Sequence, residues 1–120
     1  MKYLPLFRTL VIVLLLPAVM SYVNHCDADA SLDGAWQAAQ GNKTTSMIIN
    51  DGYCMITDYD QAGRQFFNTR GGKIMVENGR IKLEVQFNSA DSTEVGKIKT
   101  HSCTLQGDVL NTDVSGEMKS

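Results

Sequence analysis

The stretch Lys73-Ile74-Met75-Val76-Glu77-Asn78-Gly79-Arg80-Ile81-Lys82-Leu83-Glu84 decides the fold. Asn-Gly between two alternating runs signals a two-residue hairpin, because a type I′ turn needs positive φ at both central positions. Residues flanking such a turn face each other, so Glu77 meets Arg80. Counting outward, Val76 meets Ile81 and Ile74 meets Leu83 on one face. Met75 meets Lys82 and Lys73 meets Glu84 on the other. One face is apolar and the other mostly charged, with opposite signs opposed. Turn and pattern therefore set the same register. The alternation predicts that Ile81, Leu83, Val85 and Phe87 all point inward.

Asp51-Gly52 gives a second hairpin of the same kind. It places Met47, Ile49, Cys54 and Ile56 on an apolar inward face. Asp58 continues that face: it is either an interior carboxylate or, as expected here, at a barrel rim in water. A third turn, Gly107-Asp108, pairs Leu105 with Leu110, Cys103 with Thr112 and His101 with Val114. Lys99, His101 and Cys103 then form the least apolar inward row, as expected of a wet cavity or an open mouth. Further turn signals stand at Gly41-Asn42, Gln61-Ala62-Gly63 and Gly71-Gly72. The runs between them, 36–40, 44–50, 53–59, 65–70, 73–77, 80–88, 97–105 and 109–114, make eight candidate strands. Even spacing of short strands predicts an all-β domain, a sandwich or an up-and-down barrel; the small up-and-down antiparallel β-barrel is the expected form. The polar connection Asn88 to Gly96 is the longest and either covers or crosses a barrel end. Residues 115–120 are expected to be a disordered tail.

Upstream, Lys2 and Arg8 precede the apolar run Leu10 to Met20. A charged start followed by a short apolar core is the pattern of a secretory signal. The run is short for a bilayer-spanning helix, which needs about 20 residues, and Pro17 interrupts it. The expected division is a cleavable signal peptide helix over 1–30, a barrel over 31–114 and the tail. Ala28-Asp29-Ala30 fits a cut before Ser31, with a cut after Ser21 as the alternative. The chain is then exported, to a periplasm or the medium, and meets a membrane only through an uncleaved signal. Residues 1–30 hold two of the eleven basic and two of the thirteen acidic residues, so the remainder keeps a net charge of −2. No charge excess attracts nucleic acid. Cleavage at Ala30 leaves Cys54 and Cys103. Both face inward on strands that are not neighbours in a meander, so two separate buried thiols are expected, with a bond between them as the alternative.

Leu32-Asp33-Gly34-Ala35-Trp36 holds the sole tryptophan. A Gly-x-Trp on the first strand of an exported all-β chain resembles the lipocalin and wider calycin pattern. Further matching pieces are Asp51-Gly52-Tyr53, Tyr59-Asp60, Gly71-Gly72, Phe87-Asn88-Ser89, Val95-Gly96-Lys97 and Leu105-Gln106-Gly107-Asp108-Val109-Leu110. In their order they resemble the small lipocalin-like proteins exported by some bacteria, mostly of unknown function. The resemblance implies a barrel closed at one end by Trp36. Such proteins continue into a further strand with a Trp and a basic residue. Here that strand is missing, which implies an unpaired last edge.

No catalytic motif emerges. His101 has no partner set for nucleophilic chemistry, and a lone histidine cannot make a zinc site. No cofactor is expected, and the chain is read as a binding module rather than an enzyme. An eight-stranded barrel holds its own side chains plus one small ligand. The expected lining is Trp36, Met47, Ile49, Ile56, Leu83, Val85 and Phe87, with Lys99 and His101 as polar handles. That suits a small amphiphile such as a fatty acid. The alternative is a structural or protein-interaction domain with a filled core, a monomer or a weak dimer formed through an edge strand.

Overall fold

A computed structural model describes residues 24–28 and 31–120. The rest of the expected signal peptide lies outside the described residues. Among the described residues, ten strands form one antiparallel sheet: β1 Asn24–His25, β2 Gly34–Gln40, β3 Lys43–Asn50, β4 Tyr53–Asp60, β5 Gln65–Glu77, β6 Arg80–Asn88, β7 Ile98–Ser102, β8 Thr104–Gln106, β9 Val109–Thr112 and β10 Gly116–Lys119. The sheet order is β1-β8-β9-β10-β2-β3-β4-β5-β6-β7. The sheet curls into a nearly closed barrel. β7 and β8 are two halves of one run kinked at Cys103, the first paired with β6 and the second with β9.

The two Asx-Gly hairpins hold the predicted register. Val76 pairs with Ile81, Ile74 with Leu83 and Met75 with Lys82, while Ile49 pairs with Cys54 and Met47 with Ile56. Asp51, Gly52, Asn78 and Gly79 all have positive φ, as a type I′ turn demands. The inward side chains Trp36, Met47, Ile49, Cys54, Ile56, Ile81, Leu83, Val85, Leu110 and Met118 form one buried cluster. Removing this apolar area from water at roughly 25 cal/mol per Å² is the main favourable term in folding. Trp36 is buried in this cluster, its indole N–H donating to the Leu32 carbonyl at 2.9 Å.

Four expectations are corrected. Gly71-Gly72 is not a turn between two strands. It lies inside the single long strand β5, where the pairing with β6 shifts by one residue. A Cβ on Gly71 would fall on the Cys54 carbonyl and one on Gly72 on the Glu84 carbonyl, so the glycines permit close backbone approach. The shift makes Gln86 an extra residue on β6. It turns Phe87 outward, where its ring covers Gly71 and it is 39% exposed. The supposed tail is also ordered: Gly116–Lys119 is β10, paired with β9 and joined to β2 through Lys119 and Gln37. Met118 fills the core from it. The last edge is therefore paired, and the open edges are β1 and β7. Finally, Cys103 bonds neither to Cys54 nor to nothing; it is joined to Cys26. Cys54 remains a buried free thiol.

Candidate functional site

Among the described residues, the buried polar side chains are Thr45, Asp58, Thr112 and Ser115. Asp58 is 8% exposed, not solvated at a rim as expected. The reason lies in the facing strands. Thr45 on β3 pairs with Asp58, and its hydroxyl donates to Asp58 Oδ1 at 2.5 Å. Arg70 on β5 faces inward beside Ile56, and its Nη1 reaches Asp58 Oδ2 at 3.1 Å. The same Nη1 donates to Asn68 Oδ1 at 3.1 Å. A buried carboxylate is tolerable only when paired and hydrogen-bonded in this way.

Above Cys103 the barrel splits. β7 stays with β6, while β8 continues to β9, and a seam opens between β7 and the β9–β10 turn. Two contacts bridge it: His101 Nδ1 with Asp113 Oδ1 at 2.8 Å, and the Asp113 amide donating to Ser102 Oγ at 3.1 Å. Beside the seam lies a cleft of about 410 Å³. Leu83 and Val85 form its apolar floor, and Arg70, Lys99, His101 and Glu94 stand on its walls. Lys99 Nζ is held 2.6 Å from Glu94 Oε2, with Lys97 Nζ 3.8 Å from the other oxygen.

The β6–β7 connection forms the cleft's outer lip. It contains a single 3-10 turn, Ser92–Glu94, capped by the Asp91 carboxylate accepting from the Thr93 amide. Hydrogen bonds from the Thr93 side chain and backbone hold Asp91 below the usual carboxylate range. The loop is pinned back on β6, with the Gly96 amide donating to the Val85 carbonyl at 2.8 Å.

The nine residues expected to line an interior cavity separate into three places. Trp36, Met47, Ile49 and Ile56 pack against one another in the core. Leu83, Val85, Lys99 and His101 come together at the cleft. Phe87 is outside, near Ile48, Tyr53 and Met55. Sequence reasoning missed Arg70 and Asn68. The signal for both was available in Gly71-Gly72: read as a bulge rather than a turn, it keeps β5 continuous and carries Arg70 onto the inward face. Among the described residues, no group of three or more His, Cys, Asp or Glu could hold a metal ion. The Cys54 thiol is pushed up to about 11, chiefly by burial, with Arg70 acting weakly in the opposite sense. A thiol so placed stays protonated and is a poor nucleophile.

The chain matches no protein-family model, no curated protein and no solved structure.

Proposed function

We propose that this chain is an exported, lipocalin-like binding protein that takes a small amphiphile with an anionic head at its open seam, rather than in the middle of the barrel. The observation that carries this reading is the convergence of Leu83 and Val85 with Arg70, Lys99 and His101 on one cleft. An apolar floor with a few placed polar groups is the usual composition of a small-molecule site. The packed cluster around Trp36, Met47 and Ile56 leaves the lower half to stability. Export is supported by the charged and apolar start of the sequence and by a buried disulfide, which persists in oxidising compartments.

Titration of delipidated protein with a fluorescent fatty acid tests the reading. Saturable binding is expected, weakened about tenfold or more by Lys99→Glu, a change of roughly 1.4 kcal/mol. Binding that is absent, or indifferent to that substitution, overturns it.

A second reading, a protein-interaction domain, is favoured by a different observation. Pairing aligns Ala35, Ile48, Met55, Gly71 and Phe87 in one apolar row across the outside of β2 to β6. Ile48, Met55 and Phe87 are exposed. Self-association that rises with concentration and is abolished by Met55→Lys would support it.

A further inference from the structure

We infer that the leader is removed upstream of Cys26, after Ser21, and that residues 24–28 remain in the mature protein as a covalently fastened strap over the lower seam. This rests on the export reading above and adds to it a processing site and a modification.

The argument begins with what the strap touches. Cys26 is fully buried, as is its partner Cys103. Its amide donates to the Cys103 carbonyl at 3.3 Å, and its own carbonyl accepts from the Gly79 amide at 2.7 Å. The Cys103 amide in turn donates to the Gly79 carbonyl at 2.9 Å. Cys26 thus ties the β5–β6 turn to the kink between β7 and β8. Asn24 and His25 pair with Leu105 and Thr104. The His25 ring lies so close to Gly79 that a Cβ there would sit 3.2 Å from Nδ1. This is the place where β7 leaves β6 and β8 joins β9. A cut before Ser31 would remove the strand, unpair the Cys103 carbonyl, the Gly79 amide and the backbone of β8 that faces β1, and leave Cys103 as a second buried thiol in addition to Cys54. Unpaired buried backbone groups are costly, and closing a long loop makes a crosslink strongly stabilising. A cut that spares Cys26 needs a small residue before the scissile bond. Ser21 is the last one available, since Tyr22, Val23, Asn24 and His25 follow it.

Two steps are implied. Water hydrolyses the Ser21–Tyr22 peptide bond. The Cys26 and Cys103 thiols then lose two protons and two electrons to a disulfide-bearing oxidant of the export compartment, which leaves as its dithiol. Cys26 is consumed by this bond, and no thiol is left at that position for a lipid.

The test is the intact mass of the full chain, expressed with its own leader and recovered from the exported fraction, before and after reduction. A chain of residues 22–120 is expected, about 2 Da lighter before reduction than after. One thiol, Cys54, reacts only once the protein is denatured. A chain beginning at Ser31 overturns the inference and leaves export standing, as does a chain beginning at Tyr22 whose Cys26 and Cys103 are both free. An uncleaved chain of residues 1–120 outside the exported fraction overturns both. As a second measurement, Cys26→Ala, Cys103→Ala and the double variant should lower Tm by the same amount. Additive losses would show that the two cysteines do not act as one bond.

Discussion

His101 Nδ1 on β7 lies 2.8 Å from Asp113 Oδ1 in the β9–β10 turn, and this contact spans the seam beside the cleft. Asp113 is more than half exposed, so the pair is screened and contributes little globally, on the order of 1 kcal/mol or less. Its effect is local. His101→Ala should leave global stability within about 1 kcal/mol while speeding amide hydrogen exchange in β7. Exchange measured residue by residue checks this. Unchanged protection at Thr100–Ser102 would mean that the Ser102–Asp113 bond holds the seam by itself.

Arg70 and Asp58 make a different kind of pair. Asp58 is nearly enclosed, Arg70 about a quarter exposed. Arg70→Met removes the cation and leaves the carboxylate with Thr45 alone. Breaking a well-buried pair costs about 3–5 kcal/mol; partial solvent access at Arg70 reduces the expected loss to roughly 2 kcal/mol. Asp58→Asn in the Arg70→Met background should recover part of it, because the uncompensated charge is then gone. Urea unfolding of the four proteins gives the coupling directly.

How far the sequence foretold this molecule depends on which contacts each residue obeys. The hairpins at Asp51-Gly52 and Asn78-Gly79 were legible, because a two-residue turn and a period of two fix the register locally. Leu83 and Val85 come out as inward for the same reason. Phe87 does not, because an extra residue at Gln86 reverses the alternation, and nothing within β6 marks it; only the facing Gly71-Gly72 does. Lys99 and His101 share a face with Leu83 and Ile81 on β6, not with Val114 as the Gly107-Asp108 turn predicts: the run kinks at Cys103, and of that hairpin's expected pairs only Leu105 with Leu110 forms. β10 was missed because Gly116-Glu117-Met118-Lys119 is too short to show periodicity and forms by pairing with β2 and β9. The expected cut before Ser31 places Cys26 in the leader, and its bond across a separation of 77 residues lies beyond any local pattern. The cleft depends on the same non-local event, the parting of β7 from β9.

The close approach at Gly71 and Gly72 gives a sharp expectation. A methyl at either position meets a backbone carbonyl rather than a yielding side chain. Gly71→Ala and Gly72→Ala should each lose at least about 2 kcal/mol, at the upper side of overpacking costs. Gly107→Ala is the control. There φ is +58° with open space around the site, so only backbone strain of roughly 1 kcal/mol is expected. Urea denaturation that ranks Gly107→Ala with the other two would mean that the bulge accommodates a Cβ by shifting.

Cys54 links stability to alkaline pH. Its folded pKa is raised from 9.0 to about 11 by burial. Below pH 9 both folded and unfolded chains hold the proton, and the group makes no difference. Between pH 9 and pH 11 the unfolded chain releases it and the folded chain does not, so stability falls across that window. Two pH units correspond to roughly 3 kcal/mol at most. Cys54→Ala lacks this dependence, although it is less stable at neutral pH because it leaves a small cavity. The stability gap between the two proteins should therefore narrow as pH rises from 9 to 11, as followed by urea unfolding under conditions that prevent thiol exchange. A gap that stays constant would mean that the folded thiol ionises as readily as a solvated one, in conflict with its 6% exposure beneath β5.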